Sequence, residues 1–85
     1  MYIHLGNNIM LPTNEIIGIF DLENTSVSKR TRDFLKKAEK AGMVITVSYD
    51  LPRSFVVAGK NKDDIKVYIS QISSSTLLKR TGYID

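Results

Sequence analysis

One segment, residues 25–42 with the sequence TSVSKRTRDFLKKAEKAG, most constrains the fold, because it alone has a sustained helical period. Small or apolar side chains recur there at the spacing of one helical stripe, at Val27, Thr31, Phe34, Leu35 and Ala38. Hydroxyl groups that can cap a helix precede it, at Thr25, Ser26 and Ser28. Gly42 is placed to end it. The pattern therefore predicts one long helix.

The rest of the chain predicts short strands and a second, shorter helix. The strands are expected at residues 2–5, 9–11, 15–22, 43–49, 54–58 and 65–70, and the second helix from a Ser73 to Ser75 cap through Arg80. Short turns separate the last three strands, so an antiparallel meander is the simplest arrangement. The predicted fold class is α+β, with a small, mostly antiparallel sheet, the order β-β-β-α-β-β-β-α, and one long helix packed on the sheet.

The sequence also predicts self-association. Residues 15–22, EIIGIFDL, are apolar on both faces, which is typical of a central strand covered on both sides. Gly18 inside this run indicates a bulge or a close approach of another backbone. One helix covers one face, and 85 residues form a single domain, residues 1–85, with a small core. We therefore expect a second copy to cover the other face, in a homo-oligomer.

The composition excludes several classes of protein. The chain has no cysteine, which rules out disulfides and thiolate metal sites. Its apolar runs are far too short to span a membrane and its start does not resemble a secretory signal, so a cytoplasmic location is predicted. The single histidine, His4, has no acid or nucleophile beside it. We therefore predict no enzyme activity, no metal and no cofactor.

Positive charge is concentrated on the predicted helix. The chain has a net charge of +3, and residues 26–41 contain six basic and two acidic residues, 6 − 2 = +4, which leaves −1 for the rest. Lys29, Arg32, Lys36 and Lys40 lie opposite the apolar stripe. Such a face could contact a phosphate backbone, and a solvated face that keeps the protein soluble is the alternative. Arg53 follows a proline turn, where an oligomer would repeat it as a ring of charge; a plain turn residue is the alternative.

Several stretches occur in an order that resembles a known family. They are MYIHLG, IIGIFD, DFLKK, PRSFVV and VYISQISSSTLLKR, and they span residues 1–80. Together they resemble the Rem family of biofilm extracellular-matrix regulators, and are most similar to its RemB branch. The resemblance implies a bacterial cytoplasmic regulator of matrix gene expression whose subunit is LytTR-like or RemA-like and assembles into a ring. In the RemA branch, DNA is contacted by an arginine after an Asn at the start of the third strand and by an arginine pair in the turn between the two strands after the helix.

This chain departs from that arginine pattern at each place. Asn14 is followed by Glu15, and Leu51 and Pro52 stand in the turn, with Arg53 as the basic residue nearby. A glutamate beside phosphates repels them where an arginine attracts. Arg53 alone is carried over, shifted by one position.

These observations predict a RemB-like homo-oligomer that regulates matrix gene expression through double-stranded DNA, or by joining another DNA-bound regulator. The predicted DNA contacts are Arg53, Lys29, Arg30, Arg32 and Lys36. A protein-interaction module of the same fold that does not bind DNA is the alternative. Glu15, Leu51 and Pro52 favour that alternative, because they remove positive charge and expose an apolar turn.

Overall fold

The computed structural model describes residues 1–23 and 28–82 of the chain. Its strands are β1 (Tyr2–Gly6), β2 (Ile9–Pro12), β3 (Ile16–Asp21), β4 (Val44–Thr46), β5 (Ser54–Ala58) and β6 (Lys66–Ser70). Its helices are α1 (Lys29–Lys40) and α2 (Ser74–Arg80), and a short 3-10 turn links β2 to β3. The predicted α+β class is confirmed.

The strands form two sheets, and the prediction of a single sheet is wrong. β1 and β2 form an antiparallel hairpin, while the larger sheet has the order β3-β5-β6-β4. The hairpin turn uses left-handed backbone at Gly6, Asn7 and Asn8, with φ of 113°, 45° and 66°, which glycine and asparagine tolerate. The hydroxyl of Ser70 donates to the carbonyl of Leu5 over 2.8 Å and ties the hairpin to the larger sheet.

The predicted antiparallel meander of the last three strands is also wrong. β6 lies between β5 and β4, and it pairs with β4 in parallel. The connection, residues 47–53, crosses the end of β6, where the amide of Val47 donates to Ile69 and the amide of Arg53 donates to Ser70, each over 2.9 Å. Because β6 accepts these two amides, the connection can cross the end of β6. This strand therefore lies between β4 and β5, although a short turn would have made those two strands neighbours.

Both faces of the larger sheet are covered within the chain. The hairpin and α2 cover one face, around the buried residues Ile3, Leu5, Leu11, Val47, Val56, Ala58 and Leu77. α1 covers the other, around the buried residues Ala38, Phe55, Val57 and Val67. The N-terminal hairpin therefore supplies the cover that was expected from a second copy, and self-association itself stays a prediction.

β3 lies at an edge of the sheet rather than at its centre. Its apolar residues Ile17 and Phe20 are 61% and 46% exposed. The predicted irregularity at Gly18 is confirmed by a shift of register between Ile16 and Gly18. A side chain at Gly18 would place its Cβ 2.7 Å from the ring of Phe20, so glycine lets that ring lie across the strand. The apolar character of both faces of β3 reflects an exposed edge, not full burial.

The long helix predicted over residues 25–42 is shorter in the structure. α1 has 12 residues, and residues 24–27 lie outside those described, so the predicted roles of Val27, Thr25 and Ser26 lie outside them too. Ser28 caps the helix, since its hydroxyl accepts the amide of Thr31 over 3.2 Å. Gly42, with φ of 72°, follows the helix as predicted.

Candidate nucleic-acid interface

The predicted basic face of α1 is solvent-exposed. The exposed cationic residues of the helix are Lys29, Arg30, Arg32, Lys36, Lys37 and Lys40. Ala38 is buried, and Leu35 and Thr31 are partly buried. These three residues lie on the side of the helix that faces the sheet, opposite the cations. Among residues 1–23 and 28–82, none of the six cations forms an ion pair with a carboxylate. Their charge is therefore available to an anion from outside the chain.

Arg53 is held in a different setting from the helix cations. It lies just before β5, and its backbone bonds to both neighbouring strands: its amide donates to Ser70, and its carbonyl accepts from Leu22, each over 2.9 Å. Its side-chain Nε lies 2.7 Å from Oε1 of Glu23, in an ion pair whose two side chains are about half exposed, at 48% and 43%. Glu23 therefore takes one of the five N–H donors of this guanidinium, and a phosphate would have to compete with it there.

The start of α1 and Arg53 lie at the same end of the larger sheet. α1 ends near the start of β6, because the amide of Met43 donates to Ala38 and the carbonyl of Met43 accepts from Val67. A 12-residue helix is about 18 Å long and a five-residue strand about 16 Å, so α1 begins near the opposite end of the sheet. Arg30 accordingly lies beside Phe20 and Phe55, at the end where Arg53 enters β5.

An apolar groove opens beside these residues. It has a volume of about 230 Å³ and is lined by Phe20, Arg30, Thr31, Phe34, Phe55 and Val57. The rings of Phe20 and Phe55 stack with centroids 4.8 Å apart, and the ring of Phe34 lies 6.2 Å from that of Phe55. Phe34 is 41% exposed although the helical stripe predicted a core position for it. We call this feature the aromatic groove.

The two places at which the resemblance implies DNA contacts do not come together within one subunit. Glu15 lies at the far end of β5 from Arg53, because its carbonyl accepts from Gly59 just beyond that strand. Four residue steps of β5 separate the two ends, about 14 Å. Burial, and then the nearby charges of Asp64 and Glu15, raise the pKa of the Tyr68 phenol, so Glu15 lies near this side chain of β6.

Two features of the site escaped the reasoning from sequence. The ion pair between Arg53 and Glu23 joins residues 30 positions apart, one just before β5 and the other just after β3, and no local pattern indicates it. The aromatic groove needs glycine at position 18, because a side chain there would clash with the ring of Phe20. A glycine beside a phenylalanine in a strand was the feature of the sequence that could have indicated the groove.

Neither a metal cluster nor a membrane-spanning helix occurs in the part of the chain that the structure describes. No three His, Asp or Glu side chains of residues 1–23 and 28–82 are grouped as a metal ion would require. Neither described helix is long and apolar enough to cross a lipid bilayer.

Comparison with known proteins agrees with the predicted resemblance. Residues 2–81 match the RemA-like family model, described as extracellular matrix regulatory protein A-like. The chain is also 40% identical over 84 residues to extracellular matrix regulatory protein B of Bacillus subtilis strain 168, across 99% of this chain and 94% of that protein. Both names describe a regulatory protein rather than an enzyme. The predicted Rem resemblance and its RemB branch are confirmed, and the chain belongs to the RemA-like family of extracellular matrix regulatory proteins.

Proposed function

We propose that this protein is a cytoplasmic, homo-oligomeric regulator of biofilm extracellular-matrix gene expression that binds double-stranded DNA through the basic face of α1. The regulatory part rests on its near full-length similarity to a protein named for matrix regulation. The DNA-binding part rests on one observation, the exposed cations of α1 that no described carboxylate neutralises.

Phosphate contacts account for the proposed mode of binding. Lys29, Arg32 and Lys36 would neutralise phosphates, with Arg30 and Arg53 at the end of the same surface. Lysine and arginine on a helix exterior position a protein on the duplex without reading bases, so sequence preference would come mainly from DNA shape. An oligomer would repeat this surface, so several weak contacts made together would raise the overall affinity for DNA.

Fluorescence anisotropy of an AT-rich, promoter-length duplex tests the DNA-binding part. Titrations at about 50 and about 200 mM salt should differ about fortyfold in affinity if three phosphates are neutralised, and by more for five. Failure to bind at the lower salt would reject direct DNA binding. Replacing Arg53 with alanine should weaken binding slightly and by a similar factor on all sequences. Unchanged affinity even when Glu23 is also replaced by glutamine would remove Arg53 from the interface.

A transcript measurement tests the regulatory part separately. Deleting the gene in its own bacterium should change the level of matrix-gene transcripts, and the wild-type gene should restore it. A variant without the basic face should fail to restore it. Restoration by that variant would mean that regulation does not depend on the DNA contact.

A protein-interaction module is the second candidate, in which the chain acts on a DNA-bound regulator without touching DNA. The ion pair of Arg53 with Glu23 and the 82% exposure of Leu51 favour it, because one removes an available cation and the other presents an apolar contact. Capture of one specific regulator from nuclease-treated lysate, together with no duplex binding by the purified protein, would establish this candidate over the first.

A further inference from the structure

Two of the most exposed apolar side chains of the described residues lie between β4 and β5. Tyr49 is 98% exposed and Leu51 is 82% exposed, with the exposed Asp50 between them. We call Tyr49, Asp50 and Leu51 the knob. The amide of Asp50 donates to the hydroxyl of the buried Ser48 over 3.2 Å, and the residues on either side of the knob are hydrogen-bonded to the end of β6. Apolar side chains presented on an anchored segment are typical of an interaction surface.

The aromatic groove has the chemistry that complements the knob. Its buried floor is formed by Phe55 and Val57, and half-exposed Phe20 and Phe34 form its sides, which suits an aliphatic side chain. Arg30 lines the groove and carries a positive charge, so an acidic residue of a partner would be favourable beside Arg30. Leu51 beside Asp50 offers this combination of an aliphatic and an acidic side chain.

We infer that Leu51 of one copy inserts into the aromatic groove of a second copy, where Asp50 pairs with Arg30. The inference rests on the proposed self-association and names its two surfaces. The occupant is a second copy because this chain itself carries the matching apolar and acidic residues. Leu51 is too exposed to be filling the groove of its own subunit.

The positions of the two surfaces determine the kind of assembly. The knob lies over the end of β6, between the hydrogen-bonded residues Val47 and Arg53, and the groove lies between β3, β5 and α1, so the two are different surfaces of one subunit. A contact between two different surfaces is heterologous, and its repetition gives a closed ring or an open filament. Arg30 then belongs to the subunit contact, which leaves Lys29, Arg32 and Lys36 as the DNA-facing cations of α1.

Reversal of each charge tests the contact, with molar mass from light scattering as the readout. Asp50→Arg places two cations together at the contact and Arg30→Asp places two carboxylates there, so each variant alone should fall to monomer at micromolar concentration. Asp63→Arg and Arg32→Asp are the matched controls, since both residues are exposed and lie outside the groove and the knob. The controls should keep the mass of the unmodified protein.

Mixing the two reversed variants gives a sharper test. In an equimolar mixture, each knob meets a groove of opposite charge at every contact, so the assembled mass should return. Assembly by the single variants, or none in the mixture, would overturn the pairing of Asp50 with Arg30.

Replacement of the leucine tests insertion into the groove. Leu51→Ala should weaken self-association by about tenfold or more, whereas Leu51→Met, which keeps the apolar length, should change it little. Unchanged assembly of Leu51→Ala would overturn the insertion while leaving self-association in place. A monomeric unmodified protein would overturn both the contact and the proposed oligomer, and neither outcome depends on the DNA measurements.

Discussion

Two cationic regions of this protein lie near one end of the larger sheet and differ in what surrounds them. On α1, Arg32 and Lys36 are exposed, and no carboxylate in the described parts of the chain pairs with them. Arg53 is fixed by two backbone hydrogen bonds and its guanidinium already contacts Glu23. The cations of the helix are therefore available to a phosphate directly. A phosphate that binds Arg53 must first compete with Glu23.

The difference shows why counting basic residues overstates a nucleic-acid surface. An exposed ion pair is worth about 0–1 kcal/mol, so Glu23 weakens the attraction of Arg53 for phosphate without abolishing it. Asp21 and Asp50 add negative charge near the same end of the sheet, whereas α1 carries a net +4. We accordingly expect α1 to dominate DNA affinity and Arg53 to adjust it.

The largest expected effect comes from reversing charge on the helix. The double change Arg32→Glu with Lys36→Glu should lower duplex affinity on the order of 100-fold at about 50 mM salt, because two attractions become repulsions. The slope of log affinity against log salt should fall by about two. Glutamate forms helices about as well as arginine and lysine, so α1 should persist, which circular dichroism can check.

A matched control separates a local surface from net charge. Lys60→Glu with Lys62→Glu makes the same change of charge in the exposed loop between β5 and β6. Its affinity should fall much less than that of the helix variant. Equal losses in the two variants would mean that only the overall charge matters, and the comparison between the two regions would fail.

The next effect concerns how firmly α1 presents its cations. Ser28→Ala removes the hydroxyl that accepts the amide of Thr31, and should lower the free energy of unfolding by about 1 kcal/mol in urea titrations. Duplex affinity should fall by less than tenfold, because the helix start frays beside Lys29.

The equivalent cap of α2 provides the control. The hydroxyl of Ser73 accepts the amide of Thr76 in the same way, on the opposite face of the sheet. Ser73→Ala should cost similar stability and leave DNA affinity unchanged. If both variants lost affinity equally, general destabilisation rather than the order of α1 would be the cause.

Local patterns predicted much of this fold because they reflect local physics. The spacing of Leu35 and Ala38 fixed the buried side of α1, and the turn at Gly6 to Asn8 needs backbone that few other residues adopt. The register shift at Gly18 was predicted for the same reason. In each case the determining residues are neighbours in sequence.

Long-range features were missed because competing local rules gave another answer. The connection over residues 47–53 resembles a simple turn, yet its amides bond to the end of β6, and β4 is placed beyond that strand. The apolar run of β3 resembles a buried strand, yet Ile17 and Phe20 are exposed. Their exposure follows from the position of β3 at the edge of the described sheet, where β5 is its one neighbour, and the sequence does not indicate that position. Of the candidate site, the basic face was predictable from spacing, and the pairing of Arg53 with Glu23 was not.

The smallest expected effect concerns that pairing. Glu23→Gln removes the charge that competes for Arg53 and keeps the size of the side chain, so duplex affinity should rise by up to about fivefold, the upper range for an exposed ion pair. Glu15→Gln removes the same charge at the far end of β5 and should raise affinity less. Glu15→Gln should also lower the pKa of the Tyr68 phenol, and a measured decrease would confirm that Glu15 lies near Tyr68.

Combining these changes with Arg53→Ala isolates the arginine. In the unmodified protein Arg53→Ala should cost little affinity, because Glu23 already offsets its charge. In the Glu23→Gln background the same replacement should cost more, since the guanidinium is then available to phosphate, and the difference between the two losses measures the competition. Equal losses in both backgrounds would mean that Glu23 does not compete for Arg53, and that the two cationic regions differ in position alone.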